Sequence, residues 1–470
     1  MPDRAPEGHN LGVRLVGDDL QAPCIDGRQR TYLSLDAAAS TSALPAVAQR
    51  VADFLPRYSS VHRGAGWKSQ LATAEYEEAR AAALAFAGKT DDRDVAVICR
   101  NTTEAVNHLA YRLRLAPDDV VVTTVVEHHA NLLPWARLAR RRYVECGPDG
   151  TFDADDVAAA LDAAIHDGPR PRLLTITGAS NVTGWMPPIE DIVAAAHDRG
   201  VPVLVDAAQL AAHRPLPGSA DFVAWSGHKM YAPYGGGVLV GPRSTFETGD
   251  PFLAGGGAVD LVDLDEVVWT DPPEREEAGS PNVMGAVALH AAIDELGRIG
   301  WPAVTANDDA LAHRLRHGLA AVDGVRLLGP GLGTPTLPLA TFVVEGVHHA
   351  LVAARLSAEH AIGVRHGCFC AHPYLLRLLG LDEPEISSYR SAVLRGDRRN
   401  VPGAVRASAG LSTTAADVDR FLAAVAAIAS GAEPPVPYDQ DPETGDYWPR
   451  TDDADWAGAA RRPGTSCARG

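Results

Sequence analysis

The sequence predicts an α/β protein with a mainly parallel, seven-stranded sheet that carries helices on both faces, followed by a smaller α+β domain. The first observation is a set of seven short apolar runs between residues 94 and 241. The second is that the segments between them, such as 152–166 and 188–199, repeat apolar residues at helical spacing. This alternation is typical of a doubly wound parallel sheet. The third is the stretch 296–431, where strand-like and helical runs mix without that rhythm.

The seven predicted strands are DVAVIC, DVVVTTVV, RRYVEC, PRLLTIT, PVLVDAA, DFVAWSG and GGVLVG. A helical run over 283–299 is expected to connect the sheet to the small domain. The small domain is then predicted from runs such as PLATFVVEG and HHALVAARLSAEHA.

Changes in composition divide the chain into four predicted segments. Residues 1–30 are polar and mixed, and we expect a loosely ordered arm that packs on the body. Residues 31–295 form the large domain and residues 296–431 the small domain. Residues 432–470 are rich in proline and aspartate and are expected to form a tail with Trp448 and Trp456 exposed.

Charge and composition exclude several classes of function. The net charge of −18 argues against a general nucleic-acid surface, because phosphate binding needs clustered basic residues. No apolar run approaches the roughly 18 residues of a membrane helix, and the first twenty residues lack the apolar centre of a signal peptide. We therefore expect a cytoplasmic protein that binds neither membrane nor nucleic acid. The six cysteines show no disulfide-framework spacing.

The chemistry is concentrated where two predicted strands end. Asp206 closes one strand with Gln209 one turn further on, and Ser226, His228 and Lys229 follow the next. Both strands deliver these groups to the carboxyl edge of a parallel sheet, where α/β sites form. A lysine there can bond covalently to an aldehyde cofactor, and a buried carboxylate can keep a pyridine nitrogen protonated. The pattern predicts a pyridoxal phosphate site, although a helix-capping Asp206 and a solvated Lys229 would fit the two residues taken alone.

The whole block, Asp-x-x-Gln followed by Ser-x-His-Lys and a glycine-rich turn, resembles the class V aminotransferase family and, within it, the cysteine desulfurases most of all. The resemblance spans about residues 30–430. It implies a pyridoxal phosphate-dependent transferase of fold type I, with the cofactor in the large domain. It also implies an amino acid as the small-molecule substrate and a homodimeric assembly.

Five further positions match the family's cofactor contacts. Thr102 and Thr103 stand at a predicted helix start, where free N–H groups favour phosphate, although Thr followed by Glu is also a plain helix start. The resemblance implies that both threonines bind the cofactor phosphate, that His128 stacks on the ring and relays protons, and that Asn181 contacts cofactor or substrate. It assigns the hydroxyl of Ser280 to the phosphate site of a partner subunit.

The segment RHGCFCAHP, residues 365–373, is the most reactive in composition. Zinc binding is disfavoured because its two thiols are only one residue apart and no second cysteine pair exists, and we expect no metal site. An inert buried pair is the other alternative. The functional interpretation makes Cys370 a nucleophile whose thiolate is favoured by Arg365. The desulfurase pattern places the persulfide on Cys370, whereas Gly-Cys-Phe-Cys resembles the desulfurase-like domain of molybdenum cofactor sulfurases.

The resemblance also identifies Arg406 as the clamp for the substrate carboxylate, with Asn181 and Arg365 beside it. Residues 374–405 separate the cysteine loop from Arg406 and are interpreted as a lid or a docking surface.

The predicted reaction uses Lys229 as the base that takes the substrate Cα proton and Cys370 as the thiolate that attacks the sulfur. His128 is the predicted proton donor. The products are alanine and an enzyme persulfide, which a sulfur-acceptor protein would collect. Cysteine, selenocysteine and a larger thiol stay open as substrates. The rival functions are a transaminase, lyase or epimerase in which Cys370 only packs, or a binding protein without catalysis.

Overall fold

A computed structural model describes residues 11–62 and 64–450 of the chain. Trp456, named above, and the sixth cysteine, Cys467, lie outside the described residues. The chain begins with two small hairpin strands, a strand that joins the small domain, and two helices. They are β1 (Gln21–Pro23), β2 (Gln29–Thr31), β3 (Leu33–Ser34), α1 (Pro45–Phe54) and α2 (Trp67–Phe86).

The seven predicted apolar runs form one seven-stranded sheet, as predicted. Its strands are β4 (Asp94–Cys99), β5 (Val120–Thr124), β6 (Arg140–Val144), β7 (Leu173–Thr177), β8 (Val203–Asp206), β9 (Phe222–Ser226) and β10 (Gly237–Pro242). The spatial order is β4-β10-β9-β8-β7-β5-β6. The neighbours from β9 through to β6 are parallel, and only β10 runs antiparallel to its neighbours β4 and β9.

Helices cover both faces of this sheet. The crossover helices are α3 (Thr102–Arg112), α4 (Leu133–Leu138), α5 (Ala154–Asp167) and α6 (Ile189–His197), and α7 (Arg243–Phe246) follows β10. Alternate side chains of each strand enter different cores, as the two-residue period of a strand requires. On β8, Val203 and Val205 pack in one core and Leu204 in the core on the opposite face. The sheet is therefore buried on both sides, and its carboxyl edge is left to carry the polar groups.

Three further elements, β11 (Val259–Val262), β12 (Val267–Trp269) and α8 (Val283–Ile299), precede the small domain, and α8 packs against α1 and α2 in the core of the large domain. The small domain follows, with the elements α9 (Trp301–Ala320), β13 (Val325–Leu328), β14 (Leu339–Val344), α10 (His349–His360), β15 (Ile362–Gly363), β16 (Arg365–Gly367), α11 (His372–Leu379), α12 (Glu383–Leu394), β17 (Ala404–Ser408) and α13 (Ala415–Ala429). Helix α8 has the bounds that the sequence predicts. An antiparallel sheet of order β13-β14-β17-β16 forms the centre. This α+β unit confirms the predicted second domain.

Two terminal segments pack on the small domain. Strand β3 pairs in parallel with β15, so residues 33 and 34 contribute to the small domain although they precede the large sheet. Beyond α13, β18 (Tyr438–Gln440) and β19 (Tyr447–Pro449) form a hairpin within the predicted tail. The hydroxyl of Tyr438 donates to Glu359 on α10 at 3.1 Å, which fixes this hairpin to the small domain.

Among the residues that the structure describes, no helix combines the length and the apolar character needed to cross a membrane.

Candidate active site

The polar residues predicted for the site lie at the carboxyl edge of the large sheet. Asp206 is the last residue of β8, and Lys229 ends a short 3₁₀ turn, Gly227–Lys229, directly after β9. The start of β10 passes very close to the start of α3. A Cβ on Gly237 would lie 2.6 Å from the Cα of Asn101, so only glycine allows this approach. The glycine-rich turn therefore allows the start of β10 to lie against the start of α3, which carries Thr102.

Lys229 and Asp206 interact electrostatically in a desolvated setting. Burial lowers the pKa of Lys229 to about 8, although the carboxylate of Asp206 acts in the opposite direction. Asp206 is 4% exposed, and burial raises its pKa while the nearby ammonium of Lys229 lowers it. One oxygen of Asp206 accepts a hydrogen bond from the backbone N–H of Ala208 at 3.0 Å, which fixes the carboxylate. The pair supplies an amine that is easily deprotonated and, near it, a carboxylate whose charge acts on that amine.

His128 is held as a neutral ring. Burial and the charge of Lys229 lower its pKa to about 3. Its Nδ1 accepts from the backbone N–H of Ala130 at 3.0 Å. A neutral imidazole whose Nδ1 accepts must carry its proton on Nε2, so His128 offers an N–H rather than a cation.

Glu127, next to His128, is a buried anchor that the sequence reasoning did not assign to the site. Its carboxylate accepts from Thr124, Asn131 and the backbone N–H of Thr177 at 2.7–2.9 Å. Burial raises the pKa of Glu127 to about 8. These bonds join the ends of β5 and β7 and so fix the start of the segment that carries His128. Its place in the sequence beside two histidines concealed this role, because the bonds come from residues up to 50 positions away.

The predicted phosphate residues meet at the start of α3. The hydroxyls of Thr102 and Ser226 lie 2.7 Å apart, and the N–H of Thr102 also donates to that serine oxygen. Asn101 caps the helix by accepting from the N–H of Glu104. Thr103 is exposed at the first turn, and His228 is half-buried after β9. A helix of eleven residues with hydroxyls at its N-terminus favours a bound phosphate.

The structure brings the predicted substrate residues together around a carboxylate that the sequence reasoning missed. Asp36 accepts from Arg406 at 3.1 Å and lies 2.8 Å from Arg365, so one aspartate holds both guanidinium groups. Arg406 also donates to the carbonyl oxygen of Asn181 at 2.8 Å. Its Nε is buried and has no hydrogen-bond partner among the described residues. An unsatisfied donor in a buried arginine fits an incoming carboxylate.

Gln209 plays a supporting part in the same region. Its side-chain amide donates to the carbonyl oxygen of Ala38 at 2.7 Å, and the residue is 6% exposed. The bond ties the segment after β8 to the loop that carries Asp36.

The cysteine loop forms a strained turn at the site. The N–H of Ala371 donates to the carbonyl oxygen of Cys368 at 3.0 Å, and both central residues, Phe369 and Cys370, have left-handed backbones with φ of 55° and 54°. Such residues are usually glycine or asparagine, and each costs roughly 1–3 kcal/mol. The turn is held by the N–H of His129, which donates to the Cys370 carbonyl oxygen at 2.7 Å, and by Asn181, which donates to that of Phe369 at 2.7 Å.

The charges of Cys370, Lys229 and Arg406 act on one another. A Cys370 thiolate raises the pKa of both Lys229 and Arg406, where burial acts in the opposite direction and dominates. The Arg406 guanidinium also lies over the ring of Phe369, 5.1 Å from its centroid. Cys370, Lys229 and Arg406 therefore lie close enough for their charges to interact.

Ser280, the residue predicted to serve a partner subunit, is exposed. Its segment is fixed at both ends. Glu277 accepts from the N–H of Ile98 and from Arg80, each at 2.7 Å, and Asn282 donates to the carbonyl oxygen of Gly235 at 2.9 Å.

The residues at this edge suit pyridoxal phosphate. A buried carboxylate, Asp206, and an amine with a lowered pKa, Lys229, are the pair that a pyridine ring with an aldehyde requires. Hydroxyls at the N-terminus of α3 suit its phosphate, and a neutral imidazole at His128 suits its ring face. The donor set contains each class of group that this cofactor needs.

Comparison with known proteins agrees with this chemistry. The sequence pattern of the class V aminotransferases matches residues 33–421. A probable cysteine desulfurase of Halobacterium salinarum is 34% identical over 436 residues, which covers 90% of this chain and 97% of that protein. The cysteine desulfurase of Dickeya dadantii is 34% identical and covers 85% of this chain and 92% of its own.

Solved structures give the same result. The apo cysteine desulfurase of Thermococcus onnurineus superposes with a TM-score of 0.74 at 32% identity, covering 85% of this chain and 95% of its own. A cysteine desulfurase from Escherichia coli gives 0.70 at 32% identity with the same coverage. Fold and site together define a pyridoxal phosphate-dependent enzyme of fold type I. The chain belongs to the class V aminotransferase family.

Proposed function

We propose that this enzyme is a cysteine desulfurase that converts L-cysteine to L-alanine and leaves a persulfide on Cys370. The observation that carries the proposal is the coupling of Cys370 to both Lys229 and Arg406 at one edge of the sheet. Transamination requires the lysine and the arginine, but no step of it requires a thiol. The names of the relatives point to the same reaction.

Pyridoxal phosphate would be held by Lys229, Asp206, Asn181 and Gln209 on the ring side and by Thr102, Thr103, Ser226 and His228 on the phosphate side. When bound there, it supplies an electron sink for the bonds at the substrate Cα. The chain contributes a fixed carboxylate and a neutral imidazole, since His128 has a pKa of about 3 and Asp206 is fixed by Ala208.

Arg406 orients the substrate. Its buried Nε lacks a partner among the described residues, and a substrate carboxylate satisfies this donor in the geometry that a guanidinium prefers. Asp36 keeps the guanidinium in place and also binds Arg365 at the edge of the pocket. Asn181 links the clamp to the cysteine loop, because it contacts both Arg406 and the Phe369 carbonyl oxygen. Substrate binding and thiol position are therefore coupled through one residue, whose backbone carbonyl accepts from Arg406 and whose side-chain amide holds the cysteine loop.

Three side chains move protons or electrons. The neutral amine of Lys229 accepts the proton from the substrate Cα, which its lowered pKa allows near neutral pH. The Cys370 thiolate attacks the substrate sulfur, the carbon–sulfur bond breaks, and a persulfide remains. We assign to the Nε2–H of His128 the donation of a proton to the departing carbon skeleton, since its Nδ1 accepts from Ala130. The Arg406 guanidinium, and Lys229 once it has taken the proton, attract the negative charge of a Cys370 thiolate.

The proposal extends to the assembly of the enzyme and to its partners. We propose a homodimer in which the exposed Ser280, on a segment fixed by Glu277 and Asn282, donates its hydroxyl to the phosphate site of the second subunit. A sulfur-acceptor protein would collect the persulfide. A reducing, cytoplasmic setting suits the five described cysteines, all of which are thiols. The four-segment division of the chain is kept as proposed, with residues 33–36 packed on the small domain.

The replacement of Cys370 by serine tests the reaction. Alanine release from L-cysteine, with dithiothreitol as acceptor, should fall at least about a hundredfold in Cys370→Ser, because a hydroxyl does not accept sulfur. Cys146→Ser is the matched control, since Cys146 is also a half-buried thiol but lies outside the site. Retained alanine release, or transamination without sulfide, would instead favour the transaminase, lyase or epimerase.

A further inference from the structure

The second thiol of the cysteine loop, Cys368, has no part in the reaction described above. It is half-buried and packs against the main core of the large domain. Burial raises the pKa of Tyr389 on α12, and a Cys368 thiolate adds to that rise. Cys370, two residues further on, instead acts on Lys229 and Arg406. The two thiols of one turn therefore have different neighbours.

Resting on the proposed function, we propose that Cys368 is the exit thiol of the enzyme. It takes the sulfane sulfur from Cys370 inside the pocket and presents it to an acceptor on the side of α12.

The first argument is that the backbone at Cys370 is held in place by hydrogen bonds. The carbonyl oxygens of Phe369 and Cys370 are each held by a 2.7 Å hydrogen bond from the large domain, from Asn181 and from the N–H of His129. For Cys370 to carry sulfur outward, both bonds must break. Cys368 lies just before this tied part of the turn. A transfer between the two thiols moves the sulfur while the turn stays in place.

The second argument is distance. Residues two positions apart are at most roughly 7 Å apart at their Cα atoms, and this turn is closed between Cys368 and Ala371 by a 3.0 Å hydrogen bond. Direct sulfur–sulfur bonding needs Cα atoms within about 7 Å. The outer sulfur of a persulfide on Cys370 extends beyond its Sγ by one further bond. It therefore lies within reach of the neighbouring thiolate.

The third argument is the cover over Cys368. All twelve residues of α12 are half-buried or exposed, and Leu394 at its end is 88% exposed. A helix so weakly buried is displaced at low cost. A Cys368 thiolate acts electrostatically on Tyr389 of this helix, whose pKa is raised mainly by burial. Displacement of α12 would open Cys368 to an acceptor without disturbing Lys229.

The transfer is balanced and needs no oxidant or reductant. The Cys368 thiolate attacks the outer sulfur of Cys370–S–SH, one S–S bond forms, and the original S–S bond breaks. The leaving group is the Cys370 thiolate, and the SH group keeps its own proton. A second exchange of the same kind passes the sulfur from Cys368 to an acceptor thiol and returns the enzyme to its starting state.

The test locates the sulfur atom over time. The holoenzyme is mixed with L-cysteine without acceptor, quenched by alkylation and digested with trypsin. The resulting peptide, residues 366–377, contains both thiols, and fragmentation at Phe369 between them shows which one carries the extra sulfur. We expect the sulfur on Cys370 first and then, in a growing fraction, on Cys368. Sulfur confined to Cys370 at all times overturns the proposal.

Variants separate the possible outcomes. In Cys370→Ser, no sulfur should reach Cys368, and sulfur found there would refute the order of transfer. In Cys368→Ser, transfer of the bound sulfur to glutathione should slow at least about tenfold. The matched control is Cys146→Ser, which packs against the same core and should transfer at the rate of the unaltered enzyme. An unchanged rate in Cys368→Ser overturns the relay. A chain that forms neither alanine nor persulfide refutes the proposed function instead.

Discussion

The lowered pKa of Lys229 predicts how fast the enzyme without cofactor takes up pyridoxal phosphate at each pH. Only the neutral amine attacks an aldehyde. With a pKa of about 8 against the ordinary 10.5, the neutral fraction below pH 8 is larger by a factor of about 10 to the power 2.5, or about 300-fold. The physical cause is burial, which Asp206 only partly offsets. The rate of covalent uptake should therefore rise about tenfold per pH unit up to about pH 8 and then level off.

The assay removes the cofactor with hydroxylamine and follows the return of the bound chromophore by stopped flow between pH 6 and 10. The same reaction with N-acetyl-lysine amide is the control for a solvated amine, and its rate should keep rising to about pH 10. Asp206→Asn removes a charge that favours the ammonium form, so its plateau should begin at lower pH. A rate that still rises tenfold per unit beyond pH 9 would show an ordinary, solvated lysine and would refute the reasoning.

Three other predictions follow from single contacts. Arg406→Lys should raise the KM for L-cysteine about 10–100-fold with a smaller change in kcat, because an ammonium cannot replace the buried, two-pronged guanidinium group that Asp36 holds. Steady-state alanine release measures this, and an unchanged KM contradicts it. Glu277→Gln should lower the free energy of unfolding in urea by about 1–2 kcal/mol, since it removes one charged partner of the buried Arg80 and leaves its ion pairs with Glu77 and Glu274; an unchanged stability contradicts this. His128→Phe should lower kcat without moving the acidic limb of the pH–rate profile, because the imidazole of His128, with a pKa of about 3, is already neutral over that limb. A shifted acidic limb contradicts the neutral assignment of His128.

The large sheet and the positions of the reactive residues could be predicted because both depend on local sequence. Each apolar run of about five residues formed a strand, and polar residues after the parallel strands reached one edge, since the carboxyl ends of parallel strands point the same way. The sequence alone therefore predicts that Asp206 and Lys229 lie at the same edge of the sheet.

The contacts that complete the site depend on distant parts of the chain. Asp36 lies 370 positions from Arg406, and nothing in SLDAAAS marks its aspartate as the partner of two arginines. The pairing of β3 with β15 is equally non-local, so residues 33 and 34 were assigned to the large domain on order alone. The left-handed turn at Phe369 and Cys370 has no turn signal, because neither residue type favours positive φ and only the tertiary contacts from His129 and Asn181 impose it.

The most direct measurement is the stoichiometry of a single turnover. Holoenzyme is mixed with L-cysteine without an acceptor thiol, and alanine is counted against the sulfur retained on residues 366–377. Sulfur abstraction by Cys370 predicts one alanine for each sulfur atom on that peptide. Alanine without retained sulfur, or pyruvate and ammonia in its place, would contradict it.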